Sequence, residues 1–247
     1  MKVSFIMCVR NGEKYLNSSI DSILNQTIID FELIIVANCC NDNSVKIINK
    51  YSDHRIKLIE SNICQLSFNL NLGIQQAKGK YIARIDADDI ANPLRLEKQL
   101  NIIEIYDYDV VGSAIDYINE NDEYLKTISF PENNKKIRRN ILFKSVIAHP
   151  AVIIKREVLL SVSGYFGGQY AQDYDLWLRL MRNERVRFYN IQEPLIKYRI
   201  HENQTKGNKN SYGEVAGYFL KEVFYTGKIK YLLGSIFYFF KALLIGK

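Results

Sequence analysis

The chain has 247 residues, 47% of them hydrophobic and 24% charged, a balance that fills one principal core and excludes an intrinsically disordered chain. Its net charge of +6 and pI near 9.0 invite a nucleic-acid reading, but the Lys and Arg residues are mostly scattered rather than gathered into one stripe, which argues against that partner. The excess sits at the C-terminal end, where residues 221–247 carry five lysines against Glu222.

In chain order, the apolar run Val3–Val9 is too short for a secretory signal and is interrupted at Arg10, so it reads as a first strand. Further strands are expected at Phe31–Ala37, Arg55–Glu60 and Lys80–Ile85. Helical spacing covers Glu13–Asn25, Asn43–Tyr51 and Leu66–Ala77, punctuated by Asn11-Gly12 and Lys78-Gly79. This alternation predicts βαβ units and a mostly parallel sheet, a nucleotide-binding type of half-domain over residues 1–108. After the amphipathic run Leu94–Tyr106 the pattern becomes mixed. Strands are expected at Val110–Ile118, Tyr124–Ile128, Ala151–Lys155, Val186–Tyr189 and Leu195–Ile200, with helices at Asn134–Phe143 and Tyr174–Asn183, so that residues 109–210 complete the sheet.

The tail, residues 211–247, reads as helical, basic and aromatic. On a helical wheel Lys230, Gly234 and Lys241 share one face, opposite Leu232, Ile236, Phe239 and Leu243. That pattern suits a helix lying in a membrane surface with its lysines on the wet side. The alternative is a terminal helix packed on its own domain or on a second copy of the chain. No segment reaches the roughly 20 apolar residues that span a bilayer. The four cysteines, Cys8, Cys39, Cys40 and Cys64, show no CxxC spacing and two are adjacent, so they read as reduced thiols in a cytosolic compartment.

Three Asp-x-Asp triplets occur. Asp107-Tyr108-Asp109 falls at a helix-to-strand turn, and Asp173-Tyr174-Asp175 opens a helix, where carboxylates suit the exposed N–H groups. Only Asp86-Ala87-Asp88, followed by Asp89, ends an apolar strand, the place where open α/β sheets hold their ligands. Two carboxylates at that spacing can hold a divalent ion through oxygen while leaving positions open for phosphate.

The stretches Ser4–Leu16, Ser22–Thr27, Phe31–Val36, Leu72–Ile74, Ala77–Asp89, Pro93 with Arg95-Leu96, and Gln172–Arg179 together resemble family 2 glycosyltransferases over about the first 200 residues. The resemblance implies a GT-A fold, that is, a mixed, mostly parallel central sheet flanked by helices, here with a C-terminal helical tail. It also implies inverting transfer from a nucleotide-diphosphate sugar to a glycan or lipid-linked acceptor, in surface polysaccharide synthesis, with residues 1–210 as catalytic domain and 109–210 as its acceptor side. Asp173 matches the general base, which would take the acceptor hydroxyl proton. Asp175 is then a structural carboxylate. Donor contacts are implied from Val9, Arg10, Asn11, Glu13, Asn38, Asn71, Arg84, Asp86, Ala87 and Arg199, and a Mn2+ or Mg2+ site from Asp88, Asp86 and His201. Tyr198-Arg199-Ile200-His201 resembles the family's Tyr-Arg-x-His close, with Arg199 read either as a donor contact or as part of a structural salt bridge.

The chain departs from the family where the donor base would sit. Arg10 stands in place of an aromatic residue, and Ala37-Asn38 in place of acidic residues. Arg10 can still stack through its guanidinium and Asn38 can offer a donor and an acceptor, so UDP is favoured without its sharpest marker. Those departures keep open a binding or scaffold protein that has lost activity. Nucleotidyl transfer, a third class, needs a Gly-rich loop after the first strand, which Cys8–Glu13 lacks. The tail places the protein at the inner face of the cell membrane, with homo-oligomerisation open.

Overall fold

The computed structural model describes residues 1–201 and 209–244. The parallel half comprises β1 (Val3–Val9), β2 (Phe31–Asn38), β3 (Ile56–Ser61) and β4 (Tyr81–Asp86), connected by α1 (Leu16–Leu24), α2 (Ser44–Ile48) and α3 (Leu66–Gln76). Every residue of β1 and β2 is buried, because helices cover both faces of a parallel sheet. In β1, Phe5 and Met7 pack with Leu16 and Ile20 of α1, whereas Ile6 faces Leu70 and Ile74 of α3 on the opposite side.

Beyond β4 follow β5 (Ile90–Ala91), α4 (Arg95–Tyr106), β6 (Val110–Ile118), β7 (Tyr124–Ile128), α5 (Asn134–Asn140), a 3-10 turn at His149–Ala151, β8 (Ile153–Lys155), α6 (Arg156–Ser161), α7 (Gln172–Arg182) and β9 (Phe188–Arg199). Among the described residues nine strands form one sheet in the order β3-β2-β1-β4-β8-β6-β9-β5, with β7 paired to β6. The two strands expected at 186–189 and 195–200 are one strand. Pro194 has no N–H to give the ladder, and the pairing with β6 slips there, from Ser113↔Ile191 to Ala114↔Pro194, a bulge where the sequence pattern shows a gap.

The tail forms two helices, α8 (Lys209–Thr226) and α9 (Lys230–Leu244). Gly227 breaks them at φ +66, and its N–H reaches back to the Val223 carbonyl, a left-handed helix stop that suits glycine. Both helices fold back on α7, so that Val215, Phe219, Tyr231 and Tyr238 share one buried cluster with Ile6 and Trp177. Of the stripe expected to be wet, Lys230 is exposed, Lys241 is half-buried and Gly234 is turned inward. Gly234 lies against Phe219, whose ring a Cβ would meet at 3.0 Å, and Lys241 sits 4.5 Å over the Tyr212 ring. Periodicity sorted the residues of α9 into the right faces, but the face carrying small and aromatic residues is the one that fits the core. The opposite face is left exposed and apolar: Leu233, Phe239, Phe240 and Leu244 are 58%, 55%, 58% and 74% accessible. Among the described residues no helix is long and apolar enough to cross a membrane.

The expectation of four reduced cysteines does not hold. Cys39 and Cys64 are joined as a disulfide, and Cys8 and Cys40 are free. Parallel pairing of β2 with β3 sets Asn38 beside Ser61, so the loops leaving both strand ends bring Cys39 and Cys64 together, a proximity that sequence spacing does not reveal.

Candidate active site

The acidic turn is held from three sides. The Asp89 N–H closes the turn onto the Asp86 carbonyl at 3.3 Å. From α1, the Ser19 hydroxyl donates to that same carbonyl at 3.0 Å and Ser22 Oγ accepts from the Ala91 N–H, and just beyond that helix Gln26 donates to the Asn92 carbonyl while accepting from the Leu96 N–H. From α4, fully buried Arg95 donates to the Arg84 carbonyl at 2.8 Å. From β9, Arg199 donates its backbone N–H to Asp89 Oδ1 at 3.0 Å and its Nε to the Asp88 carbonyl at 2.9 Å, and it pairs with Asp122 at 2.5 Å. Arg199 is 1% exposed and does not line the cavity described below. Its geometry is therefore that of a clamp beneath the turn rather than of a donor contact.

The result is a cluster in which Asp86, Asp88 and Asp89 each offer a carboxylate oxygen within 4.8 Å of the others. Asp89 is fully buried, and burial together with Asp86 and Asp88 raises its pKa well above the usual carboxylate range; one of its oxygens has no hydrogen-bond partner. Asp88 and Asp86 are partly open, and Asp88 Oδ2 lies 2.9 Å from His201 Nε2. Carboxylate oxygens with one imidazole form a hard donor set of the kind Mn2+ or Mg2+ prefers, so the residues present fit such an ion.

A cavity of about 700 Å³ opens beside this cluster, and Arg84, Asp86, Asp88, His201, Asp173, His149 and Tyr198 are among the residues that line it. Arg84 is buried and pairs with Asp86 at 2.5 Å, while its Nε and Nη1 have no hydrogen-bond partner. Asp173 lies in the first turn of α7 and accepts from the Tyr174 N–H at 2.9 Å. Burial pushes its carboxyl up to about 6, against the opposing pull of that N–H and of Arg84. Asp175, by contrast, is tied to Arg179 at 2.7 Å within the same helix, both side chains being 4% exposed, and is a structural carboxylate. Trp177 is core.

Other residues singled out in the sequence lie elsewhere. Val9, Arg10 and Asn38 stand at the C-terminal ends of β1 and β2, alongside β4, where Val9 pairs with Ala37 and Cys8 with Asp86. Asn11 and Glu13 stitch the loop after β1 to the loop after β2, accepting from Asn41 N–H at 2.7 Å and Asn43 N–H at 2.9 Å respectively. Asn71 is not at the cavity. It clamps the backbone of Tyr165, donating to its carbonyl at 2.7 Å and accepting its N–H at 2.8 Å, beside Gly164, whose φ of +69 and contact with Asn71 leave no room for a Cβ. That clamp sets the Tyr165 hydroxyl 2.8 Å from His149 Nε2. Burial, followed by Arg84, lowers the His149 pKa well below its usual value, so the ring is neutral. Tyr165 carried no signal in the sequence.

The model of the family described as "Glycosyl transferase family 2" matches residues 4–161. The chain belongs to glycosyl transferase family 2. This family 2 glycosyltransferase is 42% identical over 246 residues to the O-antigen biosynthesis glycosyltransferase WbnJ of Escherichia coli, covering 98% of this chain and 96% of that one, and it is of the surface-polysaccharide type. Among solved structures it resembles S. aureus TarS 1-349 in complex with UDP-GlcNAc, with a TM-score of 0.72 at 20% identity over 90% of this chain and 66% of that one. It also resembles the mannosyltransferase PcManGT from Pyrobaculum calidifontis in complex with GDP-Man and Mn2+, with a TM-score of 0.66 at 14% identity over 99% and 73%. These likenesses identify the fold of this glycosyltransferase as GT-A.

Proposed function

We propose that this glycosyltransferase moves a sugar, with inversion, from a nucleotide-diphosphate donor to a hydroxyl of a glycan or lipid-linked glycan. The observation that carries the proposal is one cavity lined by Asp86, Asp88 and Asp173, the last with its carboxyl pushed up to about 6. A carboxylate of that basicity is ionised at neutral pH and accepts a proton more readily than a solvated aspartate. The donor's diphosphate lies over the acidic turn, where Asp88, Asp86 and His201 would hold a divalent ion that neutralises the departing charge.

The acceptor hydroxyl enters beside Asp173, and its proton passes to the Asp173 carboxylate as the oxygen attacks the anomeric carbon. Attack from the side away from the diphosphate inverts that carbon. In this reading Arg84 donates to donor oxygens, while its pairing holds Asp86 in position. Val9, Arg10 and Asn38, at the neighbouring strand ends, border the nucleoside. UDP is favoured, although the solved relatives carry either uridine or guanosine donors. The exposed apolar face of α9 rests on the inner surface of the cell membrane, with the catalytic domain in the cytoplasm.

The test is a screen of nucleotide sugars for Mn2+-dependent binding and slow hydrolysis by the wild type, Asp88→Ala and Asp173→Asn. Loss of metal-dependent donor binding in Asp88→Ala, together with retained binding and lost transfer in Asp173→Asn, supports the proposal. Normal transfer by Asp173→Asn removes it.

A further inference from the structure

Three loops leave the carboxyl ends of β1, β2 and β3 side by side, and they are joined in two different ways. Polar groups stitch the loop after β1 to the loop after β2: besides the contacts of Asn11 and Glu13, the Asp42 carboxylate accepts from the Glu13 N–H at 3.0 Å and Ser44 Oγ from the Gly12 N–H at 2.9 Å. The loop after β2 is tied to the loop after β3 covalently, through Cys39 and Cys64, together with the Cys39 N–H on the Ser61 carbonyl at 2.9 Å. Residues 62–65 are all exposed, so burial does little to hold this third loop. Its bonds from Asn69 to the Ile63 carbonyl and from the Ile63 N–H to Ser61 Oγ run to its own helix and strand, which leaves the disulfide as its firm link to the loop after β2.

Cys39 stands at φ +50, a left-handed backbone that glycine takes freely and a residue with a Cβ takes at a cost. Its place in the turn is therefore explained by its sulfur and not by its backbone. Beside it Cys40 is a half-buried free thiol, its Sγ 3.4 Å from the Val9 carbonyl. Cys64 is exposed, so a reductant meets the bond from solvent. In a reducing compartment a disulfide of that kind is usually a redox-responsive bond and seldom a permanent brace.

Resting on the function proposed above, which sets Asn38 at the nucleoside and the catalytic domain in the cytoplasm, we infer that the Cys39–Cys64 disulfide is a redox-sensitive clasp on the nucleoside end of the donor site. A dithiol reductant opens it: the dithiol gives two electrons and two protons to the S–S bond, Cys39 and Cys64 become thiols, and the dithiol closes into its own disulfide. Asn38 immediately precedes Cys39 and is set beside Ser61 by the pairing of β2 with β3. With the bond open, the loop after β3 is free to part from the loop after β2 and Cys39 is free to leave its left-handed backbone, so the segment that positions Asn38 loosens and nucleotide binding weakens. Asp88 and Asp173 lie on other elements, so the clasp acts on donor affinity and leaves the chemical step alone.

The inference is tested by calorimetric titration of the full chain with UDP and with GDP in Mn2+, before and after treatment with dithiothreitol that is then removed without air. Alkylation in denaturant and mass spectrometry follow the bond, two reactive thiols rising to four on reduction. Support is a weakening of about tenfold on reduction with circular dichroism unchanged, the loss expected if the open loop holds its binding arrangement about a tenth of the time. Cys64→Ser should reproduce that weakening without reductant, and Cys40→Ser should bind and respond as the wild type does. Should Cys64→Ser fail to fold, the wild type in its two redox states carries the test. Equal affinity in both states overturns the inference alone, as do tighter binding after reduction, loss of the fold on reduction, and a chain whose four thiols no disulfide oxidant converts to two. Binding of neither nucleotide in either state removes the donor reading and this inference with it.

Discussion

Replacing Asp173 with Asn removes the proton-accepting oxygen and keeps the shape of the site. The Asn carbonyl can take over the hydrogen bond that Asp173 Oδ1 now accepts from the Tyr174 N–H, so α7 should begin as before. The raised pKa gives the substitution two signatures of opposite sign. A carboxyl moved from 3.8 to about 6 by folding is uncharged in both states at low pH and adds no strain there. As pH rises through that interval the unfolded chain ionises first, so the folded state is destabilised progressively, and fully above the folded pKa. The shift corresponds to at most about 3 kcal/mol, less where cavity water screens the charge. Asp173→Asn should therefore raise the melting temperature by a few degrees near pH 8, with the difference closing toward pH 4. Its transfer rate should fall by about 10²–10⁴-fold with donor affinity retained. For the wild type, the rate should drop about tenfold between pH 7 and pH 5 as the base is protonated. Scanning calorimetry at several pH values and a transfer assay read both effects. Transfer at the wild-type rate by Asp173→Asn, or a wild-type rate flat across that range, refutes the assignment.

Asp88→Ala should abolish Mn2+-dependent binding of a nucleotide sugar in calorimetric titration while the fold, followed by circular dichroism, persists. Arg199→Met strips a buried cation from the Asp88 carbonyl and from Asp122; a loss of about 2–4 kcal/mol in denaturant unfolding is expected, with weakened metal binding as the turn loosens. Gly164→Ala places a methyl 2.4 Å from Asn71 Oδ1 at a φ of +69, and should cost about 1–3 kcal/mol in the same measurement. Phe240→Glu, on the exposed face of α9, should lower co-sedimentation with lipid vesicles and leave the melting temperature unchanged, since the side chain packs on little within the protein.

The parallel half was legible because strands buried on both faces are continuous apolar runs. The acidic turn was legible because it ends one of them. Many of the motif residues flanking that turn are scaffolding: Ser22 of α1, Gln26 just after it, Arg95 of α4 and Arg199 of β9 all hold the turn through backbone groups. Residue type could not separate such clamps from ligand contacts, since an arginine that binds a carbonyl and one that binds a phosphate look alike in one dimension. Asn71 shows the same ambiguity, spending its amide on the Tyr165 backbone. What separates Arg84 from Arg199 is satisfaction: Arg199 is paired along its guanidinium, whereas Arg84 keeps two buried N–H groups unpartnered beside the cavity.

The tail shows a different limit. A helical wheel yields faces but not their orientation, and two lysines on one stripe invite the assumption that this stripe is wet. In α9 the same stripe holds Tyr231, Gly234, Tyr238 and Ala242, whose alternation of large and small side chains can accept Phe219 from α8, as the close approach at Gly234 shows. The opposite stripe is uniformly bulky and offers no groove. Shape complementarity therefore turns that stripe inward, and Lys241, half-buried on it, is accommodated because rings receive its ammonium group.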